Sequence, residues 1–199
     1  MPKLSYDKTT SKTIAGEKIH YGIVYGNEKI VFIKVGAGGS IRGYQDKYLQ
    51  MAHRAHERLG ATVICASNPD VDYAAQVVAD KAMIAEVATA CDFADYEVFF
   101  VGTSDGGYQN LLLAQQVHQT RKLLGINASL IDADDLVIQL QKLPHVKKIL
   151  VYGTKDEVFQ YIPILQAADC VNLEIITVEG ADHEFKGMVN EFIALIDLI

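Results

Sequence analysis

The sequence has few cysteines, little clustered positive charge and no long apolar run, and each shortage argues against a class of protein. Cys65, Cys91 and Cys170 are an odd set without metal-ligand spacing. Cys65 stands in a strand-like apolar run where a reduced thiol packs well, so a reducing, cytoplasmic setting is expected. Lysine and arginine total 18 against 25 acidic residues, a formal net charge of −7. Phosphate binding needs clustered cations, and the one basic cluster, Lys147-Lys148, is too short, so no nucleic-acid partner is expected. Polyanions are poor substrate candidates for the same reason, unless a local cation such as Arg42 guides them. No segment reaches the ~18 apolar residues of a membrane span, and Met1–Tyr6 lacks the apolar stretch of a secretory leader. Neither membrane insertion nor secretion is expected.

What is present fits a globular protein. Half of the 199 residues are apolar and 22% are charged, and a chain of this length in one domain buries roughly 70% of its unfolded surface. Ile19–Tyr25 followed by Gly26-Asn27 reads as a strand turning back on the next, an opening antiparallel hairpin. Strand candidates then follow at Ile30–Val35, Ala61–Ala66, Glu97–Val101, Lys122–Ala128, Val146–Tyr152 and Val171–Val178. Helical spacing connects them: Tyr48, Met51, Ala52, Ala55 and Leu59; Ala74 through Ala88; Tyr108–Val117; Asp134–Leu143; Tyr161–Ala168; and finally Met188, Phe192, Ile196 and Ile199. Strands alternating with helices predict an α/β protein with a mostly parallel sheet covered on both faces.

The chemistry concentrates at three strand ends. The apolar run to Val101 meets a helical pattern through Gly102-Thr103-Ser104-Asp105-Gly106, a G-x-S-x-G sequence between strand and helix. A serine hydroxyl is a poor nucleophile unless it is exposed, unhindered, beside a base and close to oxyanion donors. A tight turn that exposes it crowds the positions two before and two after, where Gly102 and Gly106 stand. The alternative is a glycine-rich connection with Ser104 as a helix N-cap. The N–H of Asp105 is one candidate oxyanion donor, and Gly36-Ala37-Gly38-Gly39, directly after an early strand, supplies Ala37 or Gly38 as the second. The same glycines do not complete a dinucleotide fingerprint, because Ile41 occupies the third small position, and no phosphate loop is present. Beside the nucleophile, the Asp105 carboxylate is expected to point away or to meet a cation.

A general base is sought late in the chain, after a strand's carboxyl end, where His183 stands in Gly180-Ala181-Asp182-His183-Glu184-Phe185. Asp156, in Gly153-Thr154-Lys155-Asp156-Glu157-Val158, is the acid candidate that would orient the imidazole. Glu157 is its fallback, Asp182 is too near His183 along the chain, and a turn or helix cap is the plain alternative for Asp156. Arg42, Tyr44, Asn68 and Tyr108 lie in or beside loops at the ligand end of the sheet and are candidates for shaping the substrate pocket, with packing or loop capping as the competing role. His53 and His56 share a helix face but have no further ligand nearby, so no metal is expected.

Ser104 in its glycine turn, then Asp156, then His183, each after its own strand, resembles the α/β-hydrolase superfamily over residues 14–199, particularly its small esterase and dienelactone-hydrolase-like members. The resemblance implies a three-layer α/β/α sandwich of the α/β-hydrolase type over 1–199, with an antiparallel N-terminal hairpin. It also implies acyl transfer through Ser104 with His183 as base and Asp156 orienting it, a small ester or thioester as substrate, and no cofactor. Two features depart from the pattern: Val35-Gly36 stands where many relatives have His-Gly, and Ser104 where dienelactone hydrolases have cysteine. After Ala128 the chain runs through Ser129 into Asp132–Asp135, which leaves little room for a cap domain. An open site implies short substrates, surface-bound substrates or a neighbouring subunit, so a homo-oligomer is one expected arrangement. A non-catalytic ligand-binding or interaction protein that keeps the fold is the alternative function.

Overall fold

The computed structural model describes residues 4–128 and 133–199. Its strands are β1 (Lys8–Ile14), β2 (Glu17–Val24), β3 (Asn27–Lys34), β4 (Ala61–Ala66), β5 (Glu97–Thr103), β6 (Thr120–Ile126), β7 (Lys147–Gly153) and β8 (Leu173–Val178). Its helices are α1 (Lys47–Leu59), α2 (Tyr73–Ala90), α3 (Asp105–Ala114), α4 (Ala133–Gln141), α5 (Ile162–Ala167) and α6 (Val189–Ala194). The strands form one eight-stranded sheet in the order β1-β2-β4-β3-β5-β6-β7-β8. From β4 onward along this order every pairing is parallel. The expected connection between Ala128 and Asp135 falls partly on residues 129–132, which lie outside the described residues.

The opening hairpin exists, but not where the sequence suggests. β2 turns on β1 through Ala15-Gly16, and its other edge runs antiparallel to β4. The Gly26-Asn27 segment instead carries the chain past β4 to β3. β1 escapes sequence reading because KTTSKTI is polar: it is an edge strand with no fully buried position, so period-2 hydrophobicity never develops.

Alternation along the central strands sends side chains to two cores. Ile30 and Phe32 of β3 join α2, α3, α4 and α5 on one face, while Val31, Ile33 and Val35 join α1 and α6 on the other. All are 0% exposed, and full burial of one such side chain is worth about 1.5–3 kcal/mol. α1 forms because Tyr48, Met51, Ala52 and Ala55 place one buried stripe on the sheet. It stops at Gly60, whose φ of 64° suits a left-handed cap, with its N–H on the His56 carbonyl at 2.8 Å.

The carboxyl end of β3 is fastened by a buried ionic knot. Lys34 Nζ lies 2.9 Å from Asp80 Oδ2 and donates to the Ser67 carbonyl and to Gln76 Oε1, while Tyr21 donates its hydroxyl to Asp80 Oδ1 at 2.8 Å. Burial pushes the Asp80 carboxyl up, and Lys34 and Tyr21 oppose that shift. Removing one member leaves the other charge uncompensated. Asp80→Ala is therefore expected to lose about 3–5 kcal/mol in urea unfolding, and a loss below about 1 kcal/mol, the level of a surface pair, would refute the anchoring role.

Candidate active site

The sheet reverses its winding between β3 and β5: the chain passes from β3 through α1 to β4 on one side, and the next strand, β5, lies on the other. Loops leaving adjacent carboxyl ends diverge at such a point and open a crevice. Ser104 stands there, between β5 and α3, with φ 53° and ψ −127°. That backbone is costly for a residue with a Cβ. The two glycines have different neighbours. A Cβ on Gly102 would lie 2.4 Å from the Gly106 carbonyl oxygen, whereas one on Gly106 would lie 2.3 Å from the Val35 carbonyl oxygen of the adjoining β3 loop. The turn is thus tight on itself and tight against its neighbour.

His183 arrives from the loop after β8 and Asp156 from the loop after β7. His183 Nε2 is 2.9 Å from Ser104 Oγ, and His183 Nδ1 is 2.7 Å from Asp156 Oδ2. An ionised carboxylate only accepts, so Nδ1–H donates to Asp156 and Nε2 is left to accept from the serine hydroxyl. The Asp156 side chain is fully buried and that of His183 is partly open. Asp156 also caps the turn that follows it, its Oδ1 accepting the Val158 N–H at 3.2 Å. The capping and orienting roles coexist on its two oxygens. Glu157 is exposed. Asp182 closes its own loop by accepting the N–H groups of Glu184 and Lys186.

Comparison with solved structures matches this framework along nearly its whole length. An alpha-beta serine hydrolase homologue from Coxiella burnetii is 16% identical with a TM-score of 0.73, over 98% of this chain and 97% of its own. A dienelactone hydrolase from Anabaena variabilis is 16% identical with a TM-score of 0.72, over 97% and 95%. A serine hydrolase without lid from Xanthomonas campestris is 17% identical with a TM-score of 0.62, over 98% and 95%. The chain has the α/β-hydrolase fold. No protein-family model and no curated protein matches the sequence.

Within the α/β-hydrolase fold, the loop after β3 faces the serine: Gly36 lies beside Ser104, and a Cβ on it would sit 3.3 Å from the serine Cβ. Of the two expected donors there, Gly38 is already committed, its N–H donating to the Asn68 carbonyl at 2.7 Å. Ala37 lines the cavity at Ser104, and among the described residues its N–H has no backbone acceptor. Ala37 therefore remains beside Asp105 as a donor candidate. The Asp105 carboxylate points away from that space, as expected, but it meets neutral donors rather than a cation. It accepts from Asn68 Nδ2 at 2.8 Å, from Gln109 Nε2 at 2.7 Å and from the Tyr73 hydroxyl.

The four pocket-shaping candidates separate. Tyr44 lines the Ser104 cavity. Asn68 is buried and acts as a brace, donating to both the Val35 carbonyl and Asp105. Arg42 is drawn off by Asp46, with Nε 2.7 Å from Oδ1, and lines a separate cavity against the hairpin. Tyr108 donates to Asp135 Oδ2 at 2.6 Å and packs on Tyr73, and it is not among the residues lining the Ser104 cavity.

Several site residues escaped the sequence reading. Lys47, Tyr48, Thr103 and Glu184 line a cavity of about 440 Å³ together with Ser104, His183, Tyr44 and the loop after β3. Burial pushes the Tyr48 phenol up to about 12. Asn127 was also missed. At the end of β6, it accepts the Gly153 N–H at 2.8 Å and donates to the carbonyls of Asp182 and His183. It ties the acid loop to the histidine loop. A polar residue closing the apolar run of β6 at the sheet's ligand end was the available signal.

Proposed function

We propose that this protein is a serine hydrolase that cleaves a small carboxylic ester or thioester through an acyl-enzyme on Ser104. The observation that carries the proposal is the hydrogen-bonded chain from Ser104 Oγ through His183 to Asp156, with links of 2.9 and 2.7 Å. Names borne by fold neighbours, serine hydrolase and dienelactone hydrolase among them, agree with hydrolysis as the reaction class. At 16% identity they do not extend to substrate.

In the first half-reaction Ser104 Oγ attacks the acyl carbon while His183 Nε2 takes its proton, and the buried Asp156 carboxylate stabilises the imidazolium. The carbonyl oxygen becomes an oxyanion received by the N–H groups of Asp105 and Ala37. Collapse breaks the bond to the alcohol or thiol, which leaves with the proton held by His183. Water then repeats the sequence on the acyl-enzyme, its proton passing to His183 and then to Ser104 as the acid departs. No step draws on a cofactor. A cavity of about 440 Å³ suits a small substrate, and the chain is read as a single unit without a cap domain. Among the described residues no helix is long and apolar enough to cross a membrane.

The test is covalent labelling with a fluorophosphonate, followed by intact-mass measurement. The wild-type chain is expected to gain one adduct on Ser104, and Ser104→Ala none. Equal labelling of the variant removes Ser104 from the mechanism, and turnover of no short aryl ester or thioester returns the protein to a non-catalytic binding role.

A further inference from the structure

The cavity beside Ser104 holds a cation that none of these acyl-transfer steps uses. Lys47, the first residue of α1, is 5% exposed and lines the cavity with Ser104 and His183. Its ammonium donates to the Glu184 carbonyl at 3.1 Å, one residue from the candidate base, and lies 4.5 Å from the centroid of the Phe192 ring. An ammonium has three donors. Among the described residues, no carboxylate stands within ion-pair distance of it; those of Glu184 and Asp182 act only from farther off. Burying a charge without a close counter-ion is expensive.

The other buried lysines are treated differently. Lys34 has a carboxylate at 2.9 Å and two further acceptors. Lys148 is held by the carbonyls of Leu143 and Val146. Both are spent on structure, and neither is among the residues lining the Ser104 cavity. A second buried polar side chain, Thr103, lines the same cavity. Ser40, Tyr44 and Tyr48 add hydroxyls around it. The wall therefore offers one cation and several hydroxyl donors, with spare capacity for an anionic oxygen.

We propose that Lys47 determines specificity by binding a carboxylate carried by the substrate, so that the preferred substrates are small esters or thioesters bearing one free carboxylate, such as half-esters of short dicarboxylic acids. The proposal rests on the acyl transfer assigned to Ser104. A single charge fits better than a polyanion, because the net charge of −7 and the Glu184 carboxylate, which acts on Lys47 from farther off, repel additional negative charge.

The experiment compares mono-4-nitrophenyl glutarate with its methyl ester, after subtraction of uncatalysed hydrolysis. Hydrogen bonds to a charged group predict a kcat/KM preference for the free acid of about tenfold or more, carried by KM. The ratio is expected to collapse toward unity in Lys47→Met, to persist in Lys47→Arg and to fall with added salt. Equal rates in the wild type, or an unchanged ratio in Lys47→Met, overturns the proposal. Should Lys47→Met fail to fold, the salt series decides, and a salt-independent ratio overturns it as well.

Binding separates this proposal from the catalytic one. In Ser104→Ala, monomethyl glutarate is expected to bind more tightly than dimethyl glutarate when both are titrated by NMR, with the difference lost on further replacement of Lys47. If that preference holds while fluorophosphonate labelling fails, the Lys47 site stands without the hydrolase. If labelling and turnover succeed but neither assay shows a preference, the hydrolase stands and the Lys47 site falls.

Discussion

Ser104→Gly is expected to abolish hydrolysis, lowering kcat by about 10⁶-fold, as loss of a covalent nucleophile does, while making the protein about 1 kcal/mol more stable. The two effects share a cause. At φ 53° and ψ −127° the serine occupies backbone space that a Cβ opposes, and the fold tolerates it because Gly102 and Gly106 let β5, α3 and the β3 loop close around it. Glycine releases the strain but makes the unfolded chain more flexible, and the smaller term offsets part of the larger. Ser104→Ala is the control: it keeps the Cβ, so activity is lost without the gain. Thermal unfolding of the three proteins reads the difference. A glycine variant less stable than the alanine variant would show that the turn stores no strain.

Asp156→Asn is expected to lower kcat/KM by about 10⁴-fold with the fold intact. Asparagine keeps an oxygen for the Val158 N–H, so the cap survives. Its amide, facing His183 Nδ1 where the carboxylate oxygen lies at 2.7 Å, donates rather than accepts. The imidazole then turns to the tautomer with its proton on Nε2 and cannot take one from Ser104. Asp156→Ala removes both functions and is expected to cost a further ~1 kcal/mol of stability, the typical worth of a lost cap. Activity of the asparagine variant within tenfold of wild type, in the same ester assay, would make Asp156 a cap and nothing more.

Legibility in the sequence followed physical signal. Central strands were readable because both faces are buried: Ala61–Ala66 is apolar but for Thr62, and β4 has those bounds. The polar edge strand β1 was not, because a strand with no fully buried position develops no hydrophobic period. α3 begins at Asp105, three residues before the helical pattern at Tyr108, because two glycines carry no apolar signal even though the turn demands them there. Asn68 illustrates the opposite failure. A polar residue in a loop at the ligand end looked like a substrate contact, yet it is 2% exposed and spends its amide on Val35 and Asp105.

The sequence alone determined the alternation of strand and helix, the order of Ser104, Asp156 and His183, and the two glycines that let the serine turn close. These are local or periodic properties, set by burial pattern and by the steric demands of a few bonds. Only the tertiary structure decided which groups share a space. It brought His183 within 2.9 Å of a serine 79 positions away and committed the Gly38 amide to Asn68. It also set Lys47 into the wall of the cavity. Partner choice of this kind depends on where long-range packing leaves each donor and acceptor, and no local pattern records that.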